Sequence, residues 1–248
     1  MKKKISRRQT GKKTNNRATV GSVLAWLERK GKKSVRDGMA RYAIPSDKAF
    51  GIPVGVLRTY AKTIGRDHDL AMALWKTDKY EARMLSCFIG DVESMTPSLL
   101  DAWCGDFDNW AICDTACFHL FDRSPHAWKK VEQWGRKKDE FVKRAAFALL
   151  ASLSVHDKQS GDTPFLKALT LVERAAEDDR NFVKKSVNWA LRSVGKRNAR
   201  LNDAAVKLSR RLSSSSNAAA RWVGKDALRE LTSASVTRRL AARKAPRR

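Results

Sequence analysis

Apolar residues recur at spacings of three and four along nearly the whole chain, and strict alternation is absent. That period places them on one side of a helix. It predicts helices over residues 19–30, 35–42, 54–64, 69–75, 80–89 and 97–103. It predicts more over 108–121, 125–136, 139–153, 163–176, 181–194, 202–212 and 218–231. Pro45, Ser46, Gly51 and Pro53 mark 43–53 as a loop. Thr96 before Pro97 reads as an N-cap followed by proline at the first helical position. Ser124 before Pro125 repeats the signal, and Asp108 is the expected cap of the helix after it. The chain therefore reads as all-α, about a dozen helices joined by short connections.

The helices repeat. Phe141-Val142-Lys143-Arg144-Ala145-Ala146 aligns with Phe182-Val183-Lys184-Lys185-Ser186-Val187 at an offset of 41 residues. Two-helix units of about 40–47 residues are the HEAT and armadillo pattern, which stacks into a curved solenoid. A further shift of that size reaches 223–228, where the match is poor.

One stretch breaks the pattern. On a helix, Trp110, Cys113, Asp114, Cys117, Phe118 and Phe121 share a stripe, and all but Asp114 are apolar or aromatic. A carboxylate on a face meant for burial costs free energy unless a partner or a function requires it. On 181–194 the core stripe is Val183, Val187, Ala190, Leu191 and Val194, which leaves Trp189 on the other side near Lys185, Arg192 and Lys196. Aromatic and cationic groups interleave in this way on surfaces that meet nucleic acid. Lysine stems covering a tryptophan wedged between helices would give the same pattern. On 139–153 the core stripe is Val142, Ala145, Ala146, Leu149 and Leu153. Arg144 is then expected to point outward beside Ala148 and Ala151, available to phosphate or simply solvated.

Charge narrows the partner. Lys and Arg number 51 against 26 Asp and Glu, a formal charge of +25. Residues 2–17 carry eight basic groups and 238–248 six more, with no acid in either, so the body between remains basic at +11. A polyanion is the expected partner. The organisation read from this is a basic arm over 1–17, a helical-repeat domain over 18–231 and a basic tail over 232–248. The N-terminal lysines lack the amphipathic run of a transit peptide, and no secretory signal is visible. No stretch approaches the roughly 20 apolar residues of a membrane span. No membrane association is therefore expected, and the expected location is the cytoplasm, with the nucleoid if the source is bacterial.

Other chemistries find little support. Cys87, Cys104, Cys113 and Cys117 have no framework spacing and read as core thiols. His119 falls on the opposite side of its helix from Cys113 and Cys117, so no metal site is expected. His68, His126 and His156 are scattered. Trp26, Trp75, Trp103, Trp128, Trp134 and Trp222 read as packing between helices.

Together these pieces resemble a known family. Trp110 and Asp114 in NWAICD, Arg144 in VKRAA, Trp189 and Arg192 in WALR, and Ala40-Arg41-Tyr42 before Phe50-Gly51-Ile52 are similar to motifs of the AlkD-like DNA alkylation-repair glycosylases. Order and separations agree from about Val20 to Val194; residues 43–47 and the basic ends depart from the family pattern. The resemblance implies a C-shaped HEAT-like solenoid, an α-α superhelix that grips duplex DNA in a concave basic face. It implies excision of positively charged N3- and N7-alkylated purines in base-excision repair. It assigns Asp114, Trp110 and Trp189 to catalysis, and Arg144, Arg192, Lys185 and Tyr42 to DNA.

The chemistry fits those residue types. A purine alkylated at N7 or N3 is already cationic and leaves without protonation, so one carboxylate suffices where glycoside hydrolysis needs two. Asp114 would stabilise the oxocarbenium-like sugar and orient a water. Trp110 and Trp189 would attract the cationic nucleotide through their faces. The arginines would hold flanking phosphates. No lysine stands out as a Schiff-base nucleophile, so a monofunctional, cofactor-free, monomeric glycosylase is expected. The alternatives are a non-catalytic HEAT-like nucleic-acid adaptor and a protein-binding solenoid on ribosomes or chromatin.

Overall fold

A computed structural model describes residues 17–244. Fourteen α-helices occur among the described residues: α1 (Val20–Lys30), α2 (Lys33–Gly38), α3 (Val54–Ile64), α4 (His68–Trp75), α5 (Tyr80–Ile89), α6 (Pro97–Gly105) and α7 (Trp110–His119), then α8 (Ala127–Trp134), α9 (Glu140–His156), α10 (Asp162–Ala175), α11 (Asn181–Gly195), α12 (Ala199–Ser213), α13 (Ala218–Leu231) and α14 (Ala234–Lys244). There is no strand among them. Short 3-10 turns at Met39–Tyr42 and Phe121–Arg123 close α2 and follow α7.

The helices form two layers. In one, α3, α5, α7, α9, α11 and α13 pack each on the next; α4, α8, α10 and α12 back them from the other side. This is a HEAT-like repeat stack. Val23 to Leu231 belong to one continuous core, built from Leu27, Leu57, Leu85, Phe121, Phe147, Phe165 and Leu191, among others. Repeat proteins bury their apolar faces only against neighbouring units, so such a core is the expected consequence of stacking.

Several helix ends differ from the sequence reading. Asn109, not Asp108, caps α7, its side chain accepting from the amides of Ala111 and Ile112 at 3.0 Å each. Asparagine holds this position because its amide oxygen satisfies amides the helix itself leaves unpaired. Ser124 caps no helix; α8 starts at Ala127 after a turn. The helix expected over 35–42 divides into α2 and a 3-10 turn ending at Ala43, which has φ 51°.

The expected basic tail, 232–248, lies partly within the described residues. The expected tail is helical over Ala234–Lys244, and Val236 and Leu240 are buried. Val236 and Leu240, four residues apart on one helix face, dock this otherwise basic segment next to α13. The expected N-terminal arm, 1–17, lies outside the described residues except Arg17, whose guanidinium pairs with Asp67 at 2.9 Å. Residues 245–248 also lie outside.

Candidate functional site

The site begins with α7. Ala111, Ile112, Cys113, Ala116 and Cys117 are buried, whereas Trp110, Asp114 and Phe118 form a half-buried ridge at i, i+4, i+8. The sequence stripe therefore splits in two: its cysteines face the core, and Asp114 lies on the flank.

Arg144 is placed otherwise than expected. It does not point outward: only 6% of it is exposed. Its Nε and Nη2 donate to the two Asp114 oxygens at 2.9 and 2.7 Å, and its Nη1 donates to the Phe182 carbonyl at 2.8 Å. The reason is tertiary. α9 lies between α7 and α11 with α8 behind it, so residues 144–154 are buried all round the helix and a two-faced reading fails. The arginine fork matches a carboxylate in a way lysine cannot. Burial pushes the Asp114 carboxyl above its ordinary range, opposed by the adjacent guanidinium. Burial disfavours the Arg144 cation, but Asp114 more than offsets this and raises its pKa. The Asp114 side chain keeps 18% exposure, and two of its four acceptor positions stay open.

Tryptophans flank the pair. The Trp110 indole lies 6.0 Å from the Arg144 guanidinium, and its N–H donates to the Tyr42 carbonyl at 2.7 Å. Tyr42 itself is 67% exposed. Trp189 does stand off the core side of α11, as expected, but it is not loose: it stacks on Phe118 with ring centroids 5.0 Å apart and planes 1° apart. The two rings come from helices on either side of α9, so the stack bridges it.

Two basic residues fare differently. Lys185 is exposed, and no ion-pair partner is found for it among the described residues. Arg192 turns to α13 and pairs with Glu230 at 2.5 Å and Asp226 at 3.8 Å. Its charge is therefore already met within the protein.

Sequence reasoning missed Glu81. Wholly buried on α5, it accepts from the amides of Phe50, Gly51 and Ile52 at 2.8, 2.7 and 3.0 Å. Gly51 has φ 84°, and a Cβ there would sit 2.3 Å from the Lys32 carbonyl, so glycine is required. Met39, Ile44 and Ala49 then pack on Ala111 and Trp110, holding the loop against the start of α7. No sequence signal marks it: a glutamate in the first turn of a helix is ordinarily solvated and favoured there by the helix dipole.

His156 and Asp122 were missed too. Asp122 accepts from Ser152 Oγ at 2.6 Å and from His156 Nδ1, and the His156 ring meets Phe118 edge-on at 5.7 Å. Their separation of 34 residues, across two helices, hides the pairing. His119 accepts from Arg58 at 2.6 Å; burial, Arg58 and Arg123 lower its pKa to about 4. The four cysteines are free and buried. Among the described residues, no group of three or more His, Cys, Asp or Glu is arranged to hold a metal, and no helix is long and apolar enough to cross a membrane.

The fold agrees with the family comparison. A family model described as DNA alkylation repair enzyme matches residues 23–231. The chain belongs to that family. No curated protein matches the chain. A solved structure described as "a new family of proteins related to the HEAT-like repeat DNA glycosylases with affinity for branched DNA structures" superposes with a TM-score of 0.71. It is 21% identical, and the match covers 86% of this chain and 95% of that one. At that identity the likeness establishes the fold, HEAT-like and all-helical.

Proposed function

We propose that the protein is a monofunctional DNA glycosylase that releases positively charged N3- and N7-alkylated purines from duplex DNA. The observation that carries this reading is the partly exposed Asp114 carboxylate, fixed between Trp110 and Arg144 on the α7 ridge. Fixed charge aimed at a developing cation costs no reorganisation during reaction. A cationic base leaves without a general acid, so the chemistry left to the protein is stabilising an oxocarbenium-like sugar and aligning a water. Asp114 does both through its open acceptor positions. Arg144 orients the carboxylate instead of holding a phosphate directly. Trp110 and the Trp189–Phe118 stack offer aromatic faces to the cationic nucleotide. Exposed Lys185 and Tyr42 meet the backbone.

One observation favours a second reading, a non-catalytic DNA binder. Arg144 gives Asp114 a structural partner, so its presence beside an apolar stripe no longer requires catalysis. The similar structure, with its described affinity for branched DNA, has the same fold. The test is incubation of the protein with duplex DNA containing N7-methylguanine, scoring free base. Release above the spontaneous rate, lost in Asp114→Asn, supports the glycosylase. Intact binding without release establishes the binder.

A further inference from the structure

Trp-x-x-x-Asp occurs twice on the same layer: Trp110 and Asp114 on α7, and Trp222 and Asp226 on α13. In both, a cation from the neighbouring helix lies over the indole. Arg144 is 6.0 Å from the Trp110 ring and Lys184 is 5.4 Å from that of Trp222. In both, the aspartate keeps about the same exposure, 18% and 20%, and is tied to arginine.

The second copy differs in three respects. Trp222 is 41% exposed and, unlike Trp110, its indole N–H has no hydrogen-bond partner among the described residues. Asp226 is held by Asn188 at 2.7 Å, by Arg192 and by Arg229, so its charge is spent inside the protein. The buried Asn188 Oδ1 and Arg192 Nε beside it lack partners. Val223, Gly224 and Ala227 face inward, and Gly224 admits the α12 backbone so closely that a Cβ would lie 2.3 Å from the Ser213 nitrogen. This contact turns Trp222 away from the core. Exposed Lys185 and Lys225 lie on the same two helices.

We propose that Trp222 with Lys184 is a second nucleic-acid site, one that stacks an unpaired nucleotide and holds its phosphate, and that performs no excision. It rests on the reading of this protein as a DNA binder. An exposed indole can stack a base only when the base shows its face, which bases inside a duplex do not. Lys184, on its flexible stem, is placed to exchange the ring for a phosphate. Asp226 is shared by Arg192, Arg229 and Asn188, where Asp114 meets Arg144 alone, so a cation at Asp226 would face two arginines. Three helix-to-helix steps separate the two copies, roughly 25–30 Å. One chain could then hold a duplex at α7 and an unpaired strand at α13.

The test compares a thymine oligonucleotide with a blunt, unmodified duplex, using the full chain. Trp222→Ala should weaken binding of the oligonucleotide by about 5- to 100-fold, and of the duplex by no more than about twofold. Trp222→Phe, which keeps a ring, should retain most of the affinity. Lys184→Ala should reduce the salt slope for the oligonucleotide by about 0.7. Unchanged oligonucleotide binding in Trp222→Ala, or equal loss on both probes, overturns the site. So does a parent protein that binds the duplex but not the oligonucleotide. A parent that binds neither overturns the DNA-binding reading as well.

Discussion

The α7–α9 and α11–α13 pairs start from the same local motif and end with different electrostatics. At α7 a single guanidinium satisfies both oxygens of Asp114 and is itself buried, leaving a carboxylate with open acceptor positions. At α13 several donors share Asp226, and the exposed member is the tryptophan. A motif of two residues therefore does not specify a site. The two aspartates are about equally exposed, and the packing around each helix decides how many donors share the carboxylate and whether the ring faces outward.

The largest expected effect falls on the α7 pair. Arg144→Ala leaves the largely buried Asp114 carboxylate without its partner and takes one donor from the Phe182 carbonyl, so it should cost about 3–5 kcal/mol of stability, read from chemical denaturation. A loss under about 1 kcal/mol would mean that the pair is as weak as an exposed one. Asp114→Asn should reduce base release by about 100- to 1,000-fold while DNA affinity persists. Because Arg144 is buried, the same change should also lower the melting temperature, so release is measured well below it. A lower melting temperature with unchanged release would end the catalytic assignment.

A smaller effect tests the frame around the comparison. Glu81→Gln keeps the shape but weakens charge-assisted hydrogen bonds to three amides, and should cost about 1–3 kcal/mol. It should also lower base release, because the 39–49 segment that braces Trp110 loosens; α13 has no such brace. Release equal to the parent's would detach the loop from the site.

The His119 end of α7 supplies a pH test. Its folded pKa of about 4 lies below the ordinary 6.5, so the unfolded chain binds a proton that the native state refuses. The stability from the neutral ring is fully present above pH 6.5 and is lost as pH falls towards about 4. Over that window the loss should be about 1–2 kcal/mol, discounted for the half-exposed ring. His119→Gln should flatten it. The smallest expected effect is Asp226→Asn, a shared and partly exposed acceptor, at about 1 kcal/mol or less and without change in release. A loss of release there would make the α13 copy part of the excision site.

The sequence by itself determined most of the architecture. A 3.6-residue period and a 41-residue offset are local or near-local signals, and they located most of the helices and the stacked repeat; of the caps read, Thr96 holds its place and Asp108 and Ser124 do not. The inward faces of α11 were legible for the same reason: Val183, Val187, Ala190, Leu191 and Val194 are all fully buried. Asp114 and Trp189 stood out because each breaks the pattern of its own helix, and Trp110 through the NWAICD motif it shares with Asp114. The tertiary structure alone decided who partners whom. Arg144 looked solvent-bound because a helix wheel knows one core direction, whereas α9 is covered on several sides. The pairings Asp114–Arg144, Arg192–Glu230 and Trp189–Phe118 join residues 30, 38 and 71 positions apart. Such separations are set by how whole helices stack, and no periodicity within one helix encodes them.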